Sequence, residues 1–140
     1  MKVTQVTSEQ ELKAAFDIRQ KVFVQEQGVP LKDEFDDFDE ICEHILILND
    51  RSPVGTGRIR RIENAAKLER ICILSDYRKF GLGKVIIENL EAIAKNKGLT
   101  HIKLHGQVQA KGFYEKLGYS SESDEFMEDG IAHVLMIKDI

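Results

Sequence analysis

The sequence predicts an α/β fold, a single domain over residues 1–140 in which helices pack on one mixed sheet. Three observations carry that expectation. Short runs such as "CEHILILND", "PVGTGRIRRI" and "IAHVLMIKDI" are strand-like in length and residue type. A strongly amphipathic helical stretch at 82–97 sits between two of the strand-like runs. A chain of 140 residues that is 42% hydrophobic and 31% charged can bury one core without disulfides or metals.

The elements follow in order along the chain. Lys2 to Thr7 is a short first strand. Ser8 and Glu11 have the spacing of a capping box, in which hydroxyl and carboxylate each satisfy a free backbone N–H at a helix start. Leu12, Ala15, Phe16, Val22 and Phe23 continue that helix, and Arg19 falls on their stripe. Arg19 then either lays its stem on the core with its head in water, or tethers an acidic segment nearby. Such a segment follows: residues 33 to 43 carry Asp33, Glu34, Asp36, Asp37, Asp39, Glu40 and Glu43 and no base. It lacks the ligand order and central glycine of an EF-hand, so it reads as a solvated loop or as a rim that attracts a cationic acceptor. Two strands come next, joined by a turn at Asn49-Asp50-Arg51-Ser52. "AKLERICILS" is a third, too apolar in its centre for a sheet edge. The helix at 82–97 puts Leu82, Val85, Ile86, Leu90, Ile93 and Ala94 on one face, and Gly98 ends it. "THIKLHG" alternates as a strand, a short helix runs from about Gln107 to Leu117, and residues 120–130 read as a polar loop before the closing strand.

Composition excludes several classes. A net charge of −4 offers no general attraction to nucleic acid. No apolar run approaches the ~20 residues of a membrane span and the first residues do not begin a signal peptide, so a cytoplasmic protein is expected. Cys42 and Cys72 stand alone in apolar runs, as reduced thiols do, although the sequence by itself leaves a disulfide between them open.

"DYRKFGLGKVIIENL" carries the most chemical information. It is not a Walker loop, because Gly83-Lys84 is followed by Val85, nor a dinucleotide fingerprint, because the third glycine would stand where Ile86 is. What remains is a strand, then Arg78-x-x-Gly81-x-Gly83, then a helix. Glycines let the backbone approach a ligand, and the free N–H groups of a first helical turn favour an anion. Lys79 and Lys84 add positive charge, and the loop suits a phosphate or pyrophosphate.

This arrangement resembles the acetyl-CoA motif of the GCN5-related N-acetyltransferases (GNAT). "QVQAKGFYEKLGY", residues 107–119, resembles a second motif of that family at the proper distance, so the resemblance spans essentially the whole chain. Within the family, "VFVQEQGVP", "CEHILIL" and "LERICILSDYRKFGLG" look like the small bacterial ElaA/YjcF-type members. The resemblance implies the GNAT acyl-CoA N-acyltransferase fold, with a mixed, mostly antiparallel central sheet flanked by helices. It also implies an N-acetyltransferase that uses acetyl-CoA as co-substrate, without a metal, and transfers acetyl directly to a primary amine of a small molecule or peptide. The backbone from Lys79 through Phe80, Gly81, Leu82 and Gly83 to Lys84, with Arg78 leading it, would take the CoA pyrophosphate. Main-chain groups of Ile71, Cys72 and Ile73 would pair with pantetheine, where the central strands of this fold splay. Tyr114 matches the tyrosine that protonates the departing thiolate. Gln107 stands where many relatives have asparagine, which keeps the amide on a longer arm.

An ammonium acceptor must lose a proton before it attacks, so a base is required, as is a donor for the oxyanion. The N–H of Ile73 is a candidate donor. Glu69, at the start of the strand that leads to the CoA loop, is the first base candidate, with pairing to Arg58, Arg60 or Arg70 as its alternative. Glu26 and His44 follow, His44 sharing a strand face with Leu46 and Leu48. His101 and His105 lie four residues apart on one strand face, roughly 13 Å at ~3.3 Å per residue, too far for one zinc. Cys72 has no evident histidine to activate it and reads as core or cleft wall. The alternatives to amine acetylation are a non-catalytic acyl-CoA binding or sensing module and an acyl-homoserine-lactone-synthase-like acyltransferase. The second is suggested by Glu34-x-Asp36-x-Phe38-Asp39 after Arg19-x-x-Val22-Phe23, in a chain without tryptophan. No nucleic-acid or membrane partner is expected, and the protein would be a monomer or homodimer.

Overall fold

The computed structural model describes all residues from Met1 to Ile140. Strand β1 (Lys2–Gln5) leads to helix α1 (Glu9–Arg19), whose Ser8 side chain accepts from the Glu11 N–H while Glu11 accepts from the Thr7 N–H and from the Thr7 and Ser8 hydroxyls. The helix expected to run on through Phe23 changes pitch instead: Gln20–Glu26 is π-helical, with the Gln27 N–H donating to the Val22 carbonyl at 3.0 Å. That wider turn brings Val22, Phe23 and Gln27 to one wall of the central cleft. Helix α2 (Leu31–Glu34) is a single turn.

Strands β2 (Glu43–Asn49) and β3 (Ser52–Ile62) form the expected hairpin. Asp50 and Arg51 at its tip have φ of 54° and 94°, the positive pair that a two-residue turn matching the strand twist requires. Strand β4 (Ala65–Ile73) lies in the middle of the sheet, as its apolar centre predicts. After a 3₁₀ turn at Ser75–Phe80 comes α3 (Leu82–Asn96), then β5 (His101–Gln107), a 3₁₀ turn at Val108–Ala110 and α4 (Lys111–Lys116). The helix expected to start at Gln107 therefore starts later, because Gln107 still pairs with His133 in the sheet.

The region expected to be a polar loop is not one throughout. It holds β6 (Ser120–Ser121) and β7 (Phe126–Glu128), both paired antiparallel with β8 (Ile131–Asp139). Their pairing comes from β8, whose long edge accommodates both short strands. The eight-stranded sheet runs β1-β2-β3-β4-β5-β8-β6, with β7 also on β8. Every pairing is antiparallel except β4 with β5.

The main core lies between the sheet and α3. Ile86, Leu90 and Ala94 are wholly buried against Ile45, Ile47, Leu68, Ile102 and Leu104. The other face carries α1 and the π-helical turn, from which Ala15, Ile18 and Val22 pack on Leu46 and Cys72. Cys42 and Cys72 are free thiols. No helix is long and apolar enough to cross a membrane.

Arg19 turns inward and is fully buried. Its guanidinium donates to Glu34 at 3.0 Å and to Asp39 at 2.7 Å, and lies against the rings of both Phe16 and Phe35. It is thus the tether of the acidic segment rather than a snorkelling side chain. Arg58, also buried, binds Asp36, Asp39 and Glu69, each at 2.8 Å. The expectation that residues 33–43 form an acceptor-attracting rim is therefore narrowed to the exposed Asp33, Asp37 and Glu40. Glu34, Asp36 and Asp39 are consumed by fixed arginines, because two buried guanidiniums need that many carboxylates to stay charged out of water.

Candidate active site

The parallel pairing of β4 with β5 covers only Ala65 to Leu68 against His101 to Leu104. Beyond it the two strands diverge. Arg70, with φ of 57°, marks a bulge where the register of β4 on β3 also shifts. Glu69 to Ile73 thus keep β3 on one side and have no strand on the other. A cavity of about 600 Å³ occupies the gap, lined by Ile71, Cys72 and Ile73 on one wall and His105, Gln107 and Tyr114 on the other. An unpaired main-chain edge facing a cavity can bond an extended, amide-bearing ligand as a further strand would.

At one end the cavity meets the glycine loop. Gly81 has φ of +70°, a conformation costly for other residues, and a Cβ built on it would meet nothing within 4 Å. No side chain caps α3, so the N–H groups of its first turn remain free for an anion. Arg78 is spent within the chain. Its Nε donates to the Ile73 carbonyl at 2.9 Å, and its two terminal nitrogens grip Glu26 at 2.6 and 2.7 Å. It fixes the loop against β4 and the π-helical turn and offers no free charge to a ligand. Lys79, Phe80 and Lys84 are exposed, while Leu82 is buried under the loop.

Tyr114 stands across the gap, on α4. Its ring packs on β5, 3.1 Å from where a Cβ on Gly106 would be, closer than an ordinary side-chain contact. Burial pushes its phenol up to about 12, so the hydroxyl stays protonated at neutral pH. Gln107 donates to the Gln27 side chain at 3.0 Å and accepts from Gln109, which joins the cleft wall to the π-helical turn.

The base candidates fare differently. Glu69 does line the cleft, but it binds Arg58 at 2.8 Å, Arg60 at 3.2 Å and Lys67 at 3.0 Å. Although burial opposes it, those cations hold its carboxyl below the usual range, which makes it a poor proton acceptor. Glu26 is neutralised by the Arg78 fork, which likewise lowers its pKa. His44 is outside the cleft, buried beside Phe16, with Nε2 2.8 Å from the Asp39 carbonyl and Nδ1 unpartnered. Desolvation favours its neutral form, so it is a core histidine and not a catalytic one. Cys72 is buried and its thiol is pushed upward by desolvation, as befits a wall residue.

Three cleft residues were not singled out as a group from the sequence. His105, on β5, has Nδ1 2.8 Å from Glu128, and His133, on β8, has Nε2 3.8 Å from the same carboxylate. All three line the cavity. The alternation of "THIKLHG" does place His105 and Gln107 on one face, but Glu128 lay in what read as loop. Nowhere are three or more His, Cys, Asp or Glu side chains grouped so as to hold a metal ion.

A strand pair that opens over a cavity, a glycine loop at an uncapped helix and a protonated tyrosine opposite make this cleft the candidate active site. Residues 3–140 match the model of the acetyltransferase (GNAT) domain, and the chain belongs to that family of acetyltransferases. It is 58% identical over 143 residues to the uncharacterized protein YyaT of Bacillus subtilis (strain 168), covering 100% of this chain and 97% of that one. It is 42% identical to the uncharacterized N-acetyltransferase YjcF of the same organism, over 99% of this chain and 100% of YjcF. The crystal structure of an acyl-CoA N-acyltransferase from Pseudomonas aeruginosa superposes with a TM-score of 0.89 at 26% identity, covering 99% of both chains. PaiA N-acetyltransferase from Thermoplasma acidophilum, solved in complex with coenzyme A, shares the fold with a TM-score of 0.75 at 18% identity, covering 100% of both chains. Acetyl-CoA is the family's acyl donor, and the open loop and the unpaired β4 edge fit it.

Proposed function

We propose that this chain transfers acetyl from acetyl-CoA directly to a primary amine of a small molecule or an exposed peptide, in the cleft between β4 and β5. The observation that carries the reading is the unpaired edge of β4 facing Tyr114 across a cavity of about 600 Å³. Acetyl-CoA would supply an activated thioester carbonyl. The amides from Lys79 to Lys84 would hold its pyrophosphate, an expectation supported by the first turn of α3, which no side chain caps. The main chain of Ile71 to Ile73 would bind the pantetheine amides and leave an N–H, that of Ile73, for the carbonyl oxygen. Tyr114 would give its proton to the departing sulfur, a role that its upward-shifted phenol permits at neutral pH. Two free thiols suit a reducing compartment, in keeping with work in a bacterial cytoplasm.

Calorimetric titration with acetyl-CoA, beside dephospho-CoA and ATP, tests the binding half. Micromolar binding that is lost in Gly81→Asp is expected. Tyr114→Phe tests the transfer half by thiol release: turnover should fall about a hundredfold, the typical contribution of a general acid, with binding retained. A wild-type protein that does not bind acetyl-CoA would refute the proposal. Binding without turnover would favour an acyl-CoA sensing module.

A further inference from the structure

We propose that His105, held in one tautomer by Glu128, is the general base that takes the proton from the acceptor amine. The inference rests on the amine-acetylation reading above and names the residue that reading lacks.

The tautomer follows from the geometry. Glu128 Oε1 lies 2.8 Å from His105 Nδ1. That hydrogen bond holds the carboxyl below the usual range, and an ionised carboxylate can only accept. Nδ1 therefore carries the hydrogen, and in the neutral ring the lone pair stands on Nε2. That nitrogen has no partner within the chain, and His105 lines the cavity shared with Tyr114. An imidazole oriented by a carboxylate through one nitrogen, with the other open to substrate, is the arrangement that makes a histidine an efficient proton acceptor near neutral pH.

The neighbouring groups are otherwise committed. Glu69 is engaged by three cations, Glu34 by Arg19 and Arg70, and Glu26 by Arg78. His133 donates from Nδ1 to the Ile131 carbonyl at 2.7 Å and turns Nε2 toward Glu128. Phe126 packs on both imidazoles, edge-on to His105 and stacked on His133. β7 is already secured to β8 by its own ladder, so the His105–Glu128 bond is not what holds that strand in place.

The proton balance closes. The ammonium gives one proton to His105 Nε2, which releases it to solvent. The nitrogen lone pair then forms the N–C bond, the C–S bond breaks with its electron pair going to sulfur, and Tyr114 donates a proton to that sulfur. The remaining surplus proton on nitrogen returns, through His105 or water, to the Tyr114 phenolate. Net, each amide and thiol formed releases one proton.

The test uses wild type, His105→Gln and Glu128→Gln. A panel of alkylamines, aralkylamines, diamines and a peptide with a free N-terminus is screened by thiol release, and the best alkylamine is compared with hydroxylamine. Hydroxylamine is largely unprotonated at neutral pH and makes less demand on a base. With acetyl-CoA binding unchanged by calorimetry, His105→Gln should lower kcat/KM about a hundredfold for the alkylamine and less than about tenfold for hydroxylamine. Glu128→Gln should give a smaller loss of the same selective kind, because glutamine can accept from Nδ1–H but can also flip and donate. Equal losses on both nucleophiles, or alkylamine turnover like wild type in His105→Gln, would overturn the assignment and leave amine acetylation standing. A wild type that binds acetyl-CoA but acetylates nothing in the panel would overturn the transfer reading itself, and this one with it.

Discussion

Glu69 and Glu128 both line the cleft, Glu69 from the unpaired half of β4 and Glu128 from the short strand β7. Around Glu69 stand Arg58, Arg60 and Lys67, all carrying a fixed positive charge at neutral pH. Around Glu128 stand two imidazoles, those of His105 and His133. The first carboxylate belongs to an inner network that runs through Arg58 to Asp36 and Asp39 and on to Arg19 and Glu34. The second touches no arginine. Identical side chains in one cavity are thus set to different uses by their partners: one locks β3, β4 and the acidic segment together, the other directs a lone pair into the cleft.

Breaking the inner network should show the largest effect. Arg19→Met leaves Glu34 and Asp39 buried without their main partner, and an uncompensated buried charge costs about 3–5 kcal/mol. Urea denaturation should register that loss, and a change under 1 kcal/mol would mean that solvent reaches the network.

Acid should weaken the same network from the other side. Asp39 is held at about 2 against its ordinary 3.8, by hydrogen bonds and charge from Arg19 that outweigh its burial. A lowered folded pKa stabilises above the unfolded value and is lost as pH falls toward the folded one, here between about 4 and 2. The contribution is roughly 2 kcal/mol. Asp36 and Glu69 are lowered too and act in the same direction. Glu34 is raised, by burial above all, so its protonation on the way down from neutral pH works in the opposite sense. Urea midpoints should therefore change little from neutrality to about pH 5 and fall steeply below pH 4. A collapse completed above pH 5 would contradict this account.

The two carboxylates can be compared directly, and the smallest effect falls on Glu128. Glu69→Gln should cost about 1.5–3 kcal/mol, as expected for charged hydrogen bonds to a buried arginine. Glu128→Gln should cost less than about 0.5 kcal/mol, because Glu128 is 41% exposed. Equal costs would erase the distinction drawn here.

Much of this molecule is legible in its sequence. The Ser8–Glu11 capping box, the turn at Asp50-Arg51 and the apolar face of α3 are local patterns, fixed by hydrogen bonding and periodicity within a few residues. The glycines at the start of α3 were readable as well, since that loop is a local pattern, whereas Tyr114 was singled out only by the family resemblance. Long-range partnership was legible only as open alternatives: the Arg19 tether and the pairing of Glu69 with Arg58 or Arg60 were each one of two readings, and tertiary structure chose between them. β6 and β7 read as loop because their pairing depends on β8. The site's base was hidden for the same reason: His105 and Glu128 are 23 residues apart and meet only because β5 and β7 both flank β8. Sequence by itself determined most of the strands and helices and the glycine loop at the start of α3. Which carboxylates are neutralised, and which imidazole is left with a free nitrogen, was decided only by tertiary structure, because electrostatic partners are set by distance through space.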